Sequence, residues 1–282
     1  LSSSGVDNYP PEDEASLEAQ AAIARSYIRR RKYHISLFLW CGGNELQDDK
    51  DRKRGPASGP LGLEHPMLRQ FQEIVEAMDP DRRFLPTSAQ GPRFSAHPSE
   101  FGKGVHWDVH GPWKATGTLP KTWDPYWEQD DALMRSEVGA PGPSDADLIR
   151  RYAGDQAVMP ASWKNPLWRR SPWWIEWSQF AAEMGDEPES LEAYVTWGQR
   201  RQARALHKAA AECKARFPTC GGFIVWMGHD SFPCTANTAV LDFEGEPKPA
   251  AFALAEVFGA SPESLAEASP ETETTTDTEA ET

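Results

Sequence analysis

A short apolar run that ends at two glycines constrains the fold of this chain more than any other stretch. Residues 35–41 are almost all apolar, and Gly42 and Gly43 follow them. A bulky apolar segment of this length, closed by glycine, is typical of a strand that is buried on both faces, as in a parallel sheet flanked by helices. Asn44 and Glu45 are the next polar residues, so we expect them at the C-terminal end of this strand, where α/β barrels carry their catalytic groups.

Helical and strand-like patterns alternate along the rest of the chain. The sequence predicts further strands at residues 84–88, 105–110, 133–137 and 222–227, and helices at about 12–32, 66–79, 145–153, 190–216 and 249–258. Such alternation specifies a parallel sheet wrapped by helices. A complete (β/α)8 TIM barrel typically takes about 250 residues. We therefore expect an α/β chain that holds about the last five strands of a TIM barrel, an incomplete barrel over residues 1–260.

Composition excludes several classes of protein. The net charge is −14, and residues 261–282 carry seven acidic and no basic residues, which predicts an acidic disordered tail. We expect no nucleic-acid partner, because such partners favour a basic face. We expect no membrane partner either, because no apolar run approaches the length of a membrane span. The four cysteines include no closely spaced pair, so no metal site is expected.

Two glutamates occupy equivalent places in this pattern. Glu45 and Glu137 each follow an apolar strand and precede a glycine or a loop, and about three βα units of roughly 30 residues separate them. Strands three steps apart lie across the lumen of a barrel, so these carboxylates could face each other over a substrate. Glycoside cleavage requires such a pair, about 5–5.5 Å apart in retaining enzymes. The alternative is that each glutamate is an ordinary loop residue.

Four motifs, in the right order, resemble those of glycoside hydrolase family 2, in particular its β-mannosidase branch. They are residues 40–45 (WCGGNE), 108–113 (DVHGPW), 135–139 (RSEVG) and 222–226 (GFIVW), the last followed by Asp230. The first resembles the acid/base strand of that family and the third resembles its nucleophile strand. The opening residues 2–8 (SSSGVDN) resemble the loop after the third barrel strand.

The resemblance implies a retaining exo-glycosidase that hydrolyses terminal β-linked sugars, most readily β-mannosides, without a cofactor. Glu45 would be the general acid/base and Glu137 the nucleophile, while Asn44 would bind the substrate 2-hydroxyl. The other substrate-binding residues would be His110, Trp113, Trp226, Trp40 and Asp230. The implied partners are a β-linked oligosaccharide or glycoconjugate and the upstream N-terminal part of the same enzyme. Because Leu1 opens in polar, loop-like sequence, we expect this upstream part to precede it, and we favour a periplasmic or secreted protein.

Other readings stay open. Val138 stands where the family usually has an aromatic residue, and His229 stands where it usually has asparagine. The sugar could therefore be that of a β-galactosidase, β-glucuronidase or exo-β-glucosaminidase. A non-catalytic carbohydrate-binding fragment is a further alternative, because three strands would be missing. Five tryptophans cluster after the nucleophile strand, where they could form a lid over the substrate or pack an insertion: Trp163, Trp168, Trp173, Trp174 and Trp177.

Overall fold

The computed structural model describes residues 1, 9–47 and 59–261, and these form two compact units. Unit 1 comprises Leu1–Ala115, Gln129–Ala140 and Gly221–Gly228, and unit 2 comprises the remaining described residues. Residues 2–8, 48–58 and 262–282 lie outside the described residues; they include the motif at residues 2–8 and all but the first residue of the predicted tail at 261–282. A single partial-barrel domain over residues 1–260 stays a prediction. No helix in the described ranges has the length and apolar character needed to cross a membrane.

Unit 1 contains the five predicted strands. They are β1 (Leu39–Cys41), β2 (Arg83–Leu85), β4 (His106–His110), β5 (Met134–Val138) and β7 (Gly222–Val225), and a short β3 (Gly91–Pro92) lies between the second and third of them. β1 pairs with β2, β4 with β5, and β5 with β7, all in parallel, whereas β3 pairs antiparallel with β4. The predicted parallel arrangement therefore holds for the three pairings between predicted strands. Parallel pairing brings the C-terminal ends of adjacent strands to one edge.

Two helices of unit 1 form a core with the first strand. In α1 (Glu14–Arg31), the N-cap Asp13 accepts a hydrogen bond from the Ser16 amide, and the last turn carries three arginines that favour the negative end of the helix dipole. In α2 (Pro66–Met78), proline occupies the first turn, where its missing N–H has no intrahelical partner to lose. Apolar side chains of both helices pack in one buried cluster with Trp40 of β1.

The first predicted strand is correct only in its second half. Leu39 opens the ladder with β2, whereas Ile35 is fully exposed and Phe38 is 65% exposed. The preceding residues turn after α1 ends, with backbone hydrogen bonds from His34 to Arg31 and from Leu37 to His34. The apolar run therefore begins with a solvent-exposed connection, and only its last three residues pair with β2.

Unit 2 is mainly helical. It contains β6 (Gly142–Pro143), which pairs antiparallel with β8 (Ala236–Asn237), together with most of α3 (Leu119–Gln129) and all of α4 (Ala146–Ala153), α5 (Trp177–Met184), α6 (Leu191–Ala215) and α7 (Pro249–Gly259). The long α6 packs along α7 and also contacts α4 and α5. The sequence predicts only one or two helical turns at residues 123–131, in the region of α3, and an irregular segment up to residue 186, which contains α5. Pro125 inside α3 and the Trp- and Pro-rich composition before α5 obscured both helices.

Most of the tryptophan-rich segment packs inside unit 2. Trp168 is fully buried, and its indole N–H donates to the Val158 carbonyl at 2.8 Å. Its ring and that of Trp177 lie 5.5 and 5.7 Å from the ring of Tyr194 in α6. These contacts favour the packing alternative for Trp168 and Trp177. Trp163 and Trp173 are exposed, and a lid role for them stays a prediction.

Candidate active site

The C-terminal end of β1 places Glu45 beside the end of the neighbouring strand. Asn44 forms a parallel bridge with Ser88, and the amide of Glu45 donates to the Ser88 carbonyl. Glu45 has φ +51°, a left-handed conformation that residues other than glycine adopt uncommonly. The chain therefore leaves the strand direction at Glu45 while its backbone stays bonded to the neighbouring segment. Sites at which a non-glycine residue holds this conformation are often functional.

His110 connects the two predicted catalytic carboxylates. Its Nδ1 lies 2.7 Å from Oε1 of Glu45 and 3.7 Å from Oε2 of Glu137. The parallel register of β4 and β5 pairs His110 directly with Glu137, which explains this placement. One side-chain oxygen of each glutamate and one ring nitrogen of His110 lie within 4.8 Å of one another. The three groups therefore form one cluster, and all of them belong to unit 1.

Burial raises the pKa of Glu137 above its ordinary value of 4.5, and the nearby negative charge of Glu45 acts in the same direction. His110 and the indole of Trp113 lower the pKa of Glu137, because both favour its charged form. The side chain of Glu137 is 14% exposed. Two carboxylates this close disfavour being charged together. Burial and the charge of Glu45 therefore both favour the neutral form of Glu137, and His110 and Trp113 oppose them.

Two tryptophans extend this cluster as an aromatic surface. The ring of Trp113 lies 6.5 Å from His110 and 6.4 Å from Trp226, edge to face in both cases. The amide of Trp226 donates to the Val138 carbonyl at 2.8 Å, which fixes the end of β7 beside β5. Edge-to-face rings hold each other's orientation, and aromatic faces suit the apolar faces of sugars. The structure thus brings His110, Trp113 and Trp226 to the glutamate pair.

Two of the predicted substrate-binding residues are buried and have side-chain partners. Trp40 is 3% exposed in the core of unit 1, and its indole donates to the Asp79 carboxylate at 2.7 Å. Asp230 is fully buried in unit 2, where one oxygen accepts from Asn237 and the other pairs with Lys248. A contact of either residue with a sugar stays a prediction. Trp40 packs with the helices of unit 1, and Asp230 forms a buried ion pair.

Ser88, Ser136 and Asp108 form a hydrogen-bonded chain that begins at Nε2 of His110. The sequence did not predict a role in the site for any of the three. Oγ of Ser88 lies 2.8 Å from Nε2 of His110 and 3.0 Å from Oγ of Ser136. The hydroxyl of Ser136 donates to Asp108, and the other oxygen of Asp108 accepts from the amide of Gln90 at 2.9 Å. Asp108 and Ser136 are part of the two motifs that carry His110 and Glu137. Serine is too common at strand ends for its role to be recognised without the pairing register.

A buried ion pair holds the base of β5. Arg135 and Asp130 are both inaccessible to solvent and are joined by more than one hydrogen bond. The guanidinium of Arg135 also donates to the Gly111 carbonyl at 2.7 Å. Arg135 therefore ties the strand that carries Glu137 to the segment that follows His110. The pairing explains why a charged residue is tolerated in the interior.

The cluster could in principle hold a cation. Within residues 9–47 and 59–261, Glu45, His110 and Glu137 are the one set of three or more potential ligands at suitable mutual distances. The contact between His110 and Glu45 is a regular hydrogen-bond distance, which accounts for their approach without an ion. The absence of a metal and of a cofactor stays a prediction.

The chain is similar to several glycosidases of known sequence or structure. No family model matches the chain. The Beta-mannosidase B of Thermothelomyces thermophilus is 25% identical over 281 residues, which cover 89% of this chain and 31% of that protein. Among solved structures, a β-D-mannosidase from Dictyoglomus thermophilum aligns with a TM-score of 0.56 at 18% identity, over 89% of this chain and 30% of the other. The exo-chitosanase CsxA of Amycolatopsis orientalis aligns with a TM-score of 0.54 at 15% identity, over 86% and 28%.

The chain therefore spans about a third of the length of the proteins that it matches. The structural neighbours are TIM-barrel glycosidases, so the fold is of the (β/α)8 type. The sequence match to a β-mannosidase confirms the resemblance that the four motifs predicted. The chain is thus similar in sequence to a β-mannosidase and similar in fold to glycosidases of the (β/α)8 type.

Proposed function

We propose that this chain carries the catalytic pair of a retaining exo-glycosidase that acts on terminal β-linked sugars, with Glu137 as nucleophile and Glu45 as general acid/base. The single observation that carries the proposal is the separation of the two carboxylates. Oxygens of Glu45 and Glu137 lie within 4.8 Å of each other. Retaining enzymes place their carboxyl groups about 5–5.5 Å apart, whereas inverting enzymes need about 6.5–9.5 Å to admit a water.

In the first step, Glu137 attacks the anomeric carbon of the terminal sugar. The glycosidic carbon–oxygen bond breaks, and the proton of Glu45 passes to the departing oxygen. The product of this step is an ester between the sugar and Glu137, so the negative charge moves from Glu137 to Glu45. The charge of the pair is conserved, and only its location changes. Asn44 would hold the 2-hydroxyl, as the family resemblance implies.

In the second step, Glu45 acts as base. It takes a proton from water while the oxygen of that water forms a bond to the anomeric carbon, and Glu137 leaves as a carboxylate. The pair then returns to its starting state. His110 contacts Glu45 at hydrogen-bond distance and lies 3.7 Å from Glu137, so it can respond to the charge at both stages.

For the sugar, β-mannosides are the first candidate. The sequence relative and one structural neighbour are named β-mannosidases, and this supports the candidate. Another neighbour is named an exo-chitosanase, which keeps an exo-β-glucosaminidase as an alternative. β-Galactosidase and β-glucuronidase specificities follow the same mechanism. A panel of aryl glycosides that differ only in the sugar separates the four.

The chain on its own would be the last five-eighths of the barrel. The five parallel strands of unit 1 are too few to close a (β/α)8 barrel, and the matched relative is about three times as long. We therefore propose that an upstream part of the same enzyme supplies the first three strands. If the chain is instead a non-catalytic carbohydrate-binding fragment, it will bind sugars and turn none over even when the upstream part is present.

The test of the mechanism uses the full protein and the variant Glu137→Gln. Loss of the nucleophile should lower turnover of an aryl β-mannoside by about 10⁴-fold or more, as for other covalent catalysts. In the wild type, a 2-deoxy-2-fluoro glycoside should label the peptide that contains Glu137, and proton NMR should show the β-anomer as the first product. The matched control is Glu73→Gln, the same chemical change on an exposed residue of α2, which should retain full activity.

Two results would refute the assignment. Normal turnover by the Glu137→Gln variant would exclude it as nucleophile. Initial release of the α-anomer would mean that the enzyme inverts, so that the second carboxylate activates a water instead of attacking the sugar.

A further inference from the structure

A continuous chain of hydrogen bonds leads from Glu45 into the interior of unit 1. It passes from Glu45 to Nδ1 of His110, from Nε2 of His110 to Ser88, and from Ser88 to Ser136 and Asp108. His110 is 1% exposed and Asp108 is 6% exposed, so the inner end of the chain is shielded from water. Each serine hydroxyl in the chain can donate only one hydrogen bond. Once the acceptor of that bond is known, the serine oxygen must accept the next hydrogen bond in the chain.

The inner end of the chain defines that direction. Ionised Asp108 only accepts hydrogen bonds, and the amide of Gln90 already donates to one of its oxygens. The hydroxyl of Ser136 must therefore donate to the other oxygen. The oxygen of Ser136 then accepts the single proton of Ser88, and the oxygen of Ser88 is left to accept from His110. It follows that Nε2 of His110 carries a proton.

The outer end of the chain follows from the same reasoning. Nδ1 of His110 lies 2.7 Å from Oε1 of Glu45, and two acceptors do not approach this closely without a proton between them. We propose that Asp108, Ser136 and Ser88 are positioning residues which hold His110 with its proton on Nε2, so that the acid proton of the reaction resides in the hydrogen bond between Nδ1 and Glu45. Only the statement that this proton acts as the acid of the reaction rests on the proposed function; the orientation of His110 does not.

Other charged and titratable groups near the chain are consistent with this arrangement. Glu137 faces His110 from β5, and Cys41 lies near Asp108 and Ser88 on the side of β1. Burial raises the pKa of the Cys41 thiol, which keeps it neutral. Arg135 is paired with Asp130 and does not compete for Asp108. With the proton shared between His110 and Glu45, Glu137 is free to be the charged member of the catalytic pair.

The variant Asp108→Asn reverses the chain without changing its shape. The amide of Gln90 requires an acceptor, so the oxygen of the new side chain faces it and the NH₂ group faces Ser136. Ser136 must then donate to Ser88, and Ser88 to Nε2 of His110, which moves the imidazole proton to Nδ1. Glu45 becomes the acceptor and loses its proton. The matched control is Asp131→Asn, the same change beside His106, which lies outside the chain.

Kinetics on the full protein test the consequence. Asp108→Asn should lower kcat/KM about 10- to 100-fold for an alkyl or unactivated aryl glycoside, a part of the ~10²–10⁴-fold that a general acid supplies. The loss should be under about 3-fold for a dinitrophenyl glycoside, whose leaving group needs no acid. Ser136→Ala interrupts the chain without reversing it and should show a smaller loss with the same selectivity. An equal loss for both substrates would overturn the proposal, since a structural defect has that effect.

Nitrogen-15 NMR of histidine-labelled protein reads the proton directly, with His110→Gln to assign the signal. The wild type should show a protonated Nε2, and Asp108→Asn should show an unprotonated Nε2 and a protonated Nδ1. A wild-type His110 protonated on Nδ1 alone would overturn the proposal. If the wild type hydrolyses no aryl β-glycoside, the proposed function fails, and the NMR comparison still decides whether the chain orients His110.

Discussion

Replacing Trp40 by phenylalanine separates a core role from a role in substrate binding. The motif suggested that Trp40 lines the sugar site, whereas the structure buries it at 3% exposure with its N–H on Asp79. Trp40→Phe removes that N–H and part of the ring. If Trp40 belongs to the core, the variant should lose stability and keep its catalytic constants.

The size of the loss follows from the contacts of Trp40. A hydrogen bond to a charged group contributes about 1.5–3 kcal/mol. Asp79 keeps both hydrogen bonds from Arg82, at 2.9 Å each, so the carboxylate is not left without a partner. The smaller ring also loosens contacts with the cluster of α1 and α2, which adds about 1 kcal/mol. We expect the free energy of unfolding to fall by about 2–4 kcal/mol.

Urea denaturation measures the loss caused by Trp40→Phe, and an unchanged slope with denaturant would show that the folded and unfolded states are otherwise comparable. The matched control is Trp163→Phe, at a tryptophan that is 60% exposed, where the change should stay within about 0.5 kcal/mol. KM and kcat of Trp40→Phe should stay within about 2-fold of the wild type. A 10-fold rise in KM with unchanged stability would refute the core placement.

Two further predictions concern buried charge. Burial raises the pKa of Glu137 in the folded state above 4.5, its ordinary value. The folded state is therefore more stable at low pH, where Glu137 is protonated, and it loses this stability as the pH rises through the folded-state pKa. Glu137→Gln should therefore unfold at higher urea than the wild type at pH 7.5, with the difference shrinking at pH 4; the same difference at both pH values would contradict this. Lys248→Met leaves Asp230 buried without its cation and should cost about 3–5 kcal/mol of unfolding free energy. The double change with Asp230→Asn should restore part of that loss, and equal stability of the single and double variants would argue against the pair.

Patterns that repeat over short distances predicted most of unit 1. The helices at Glu14–Arg31 and Pro66–Met78 lie where the apolar spacing and the caps placed them. The strands that carry His110 and Glu137 are also within a residue of their predicted bounds. These elements were accessible because period, cap and glycine signals are local to each segment. The two glutamates could be matched because each follows such a strand.

The contacts that the sequence could not predict depend on the register in which the strands pair. The pairing of β4 with β5 shifts between Val109 and His110, and that of β5 with β7 shifts after Arg135. Such irregularities change which side chains share a face, so strict alternation along the strand could not show that Ser136 meets Ser88. The same limit explains Trp40. Its motif fixed its position in β1 but not which of the two faces it occupies.

The position of the acid proton links the catalytic demand on this site to its stability. Glu45 and Glu137 lie beside His110, and Asp108 is connected to it through Ser136 and Ser88, so the site contains three carboxyl groups and one imidazole. Three charged carboxylates there would repel one another, and one imidazolium could not balance them. In the proposed mechanism, a single proton shared by His110 and Glu45 lessens this repulsion and is also the proton that the first chemical step consumes. When that proton leaves with the aglycone, the charge of Glu137 disappears in the same step because its oxygen becomes an ester. The site therefore never has to hold all three charges at once, and the shared proton is restored when Glu45 takes a proton from water in the second step.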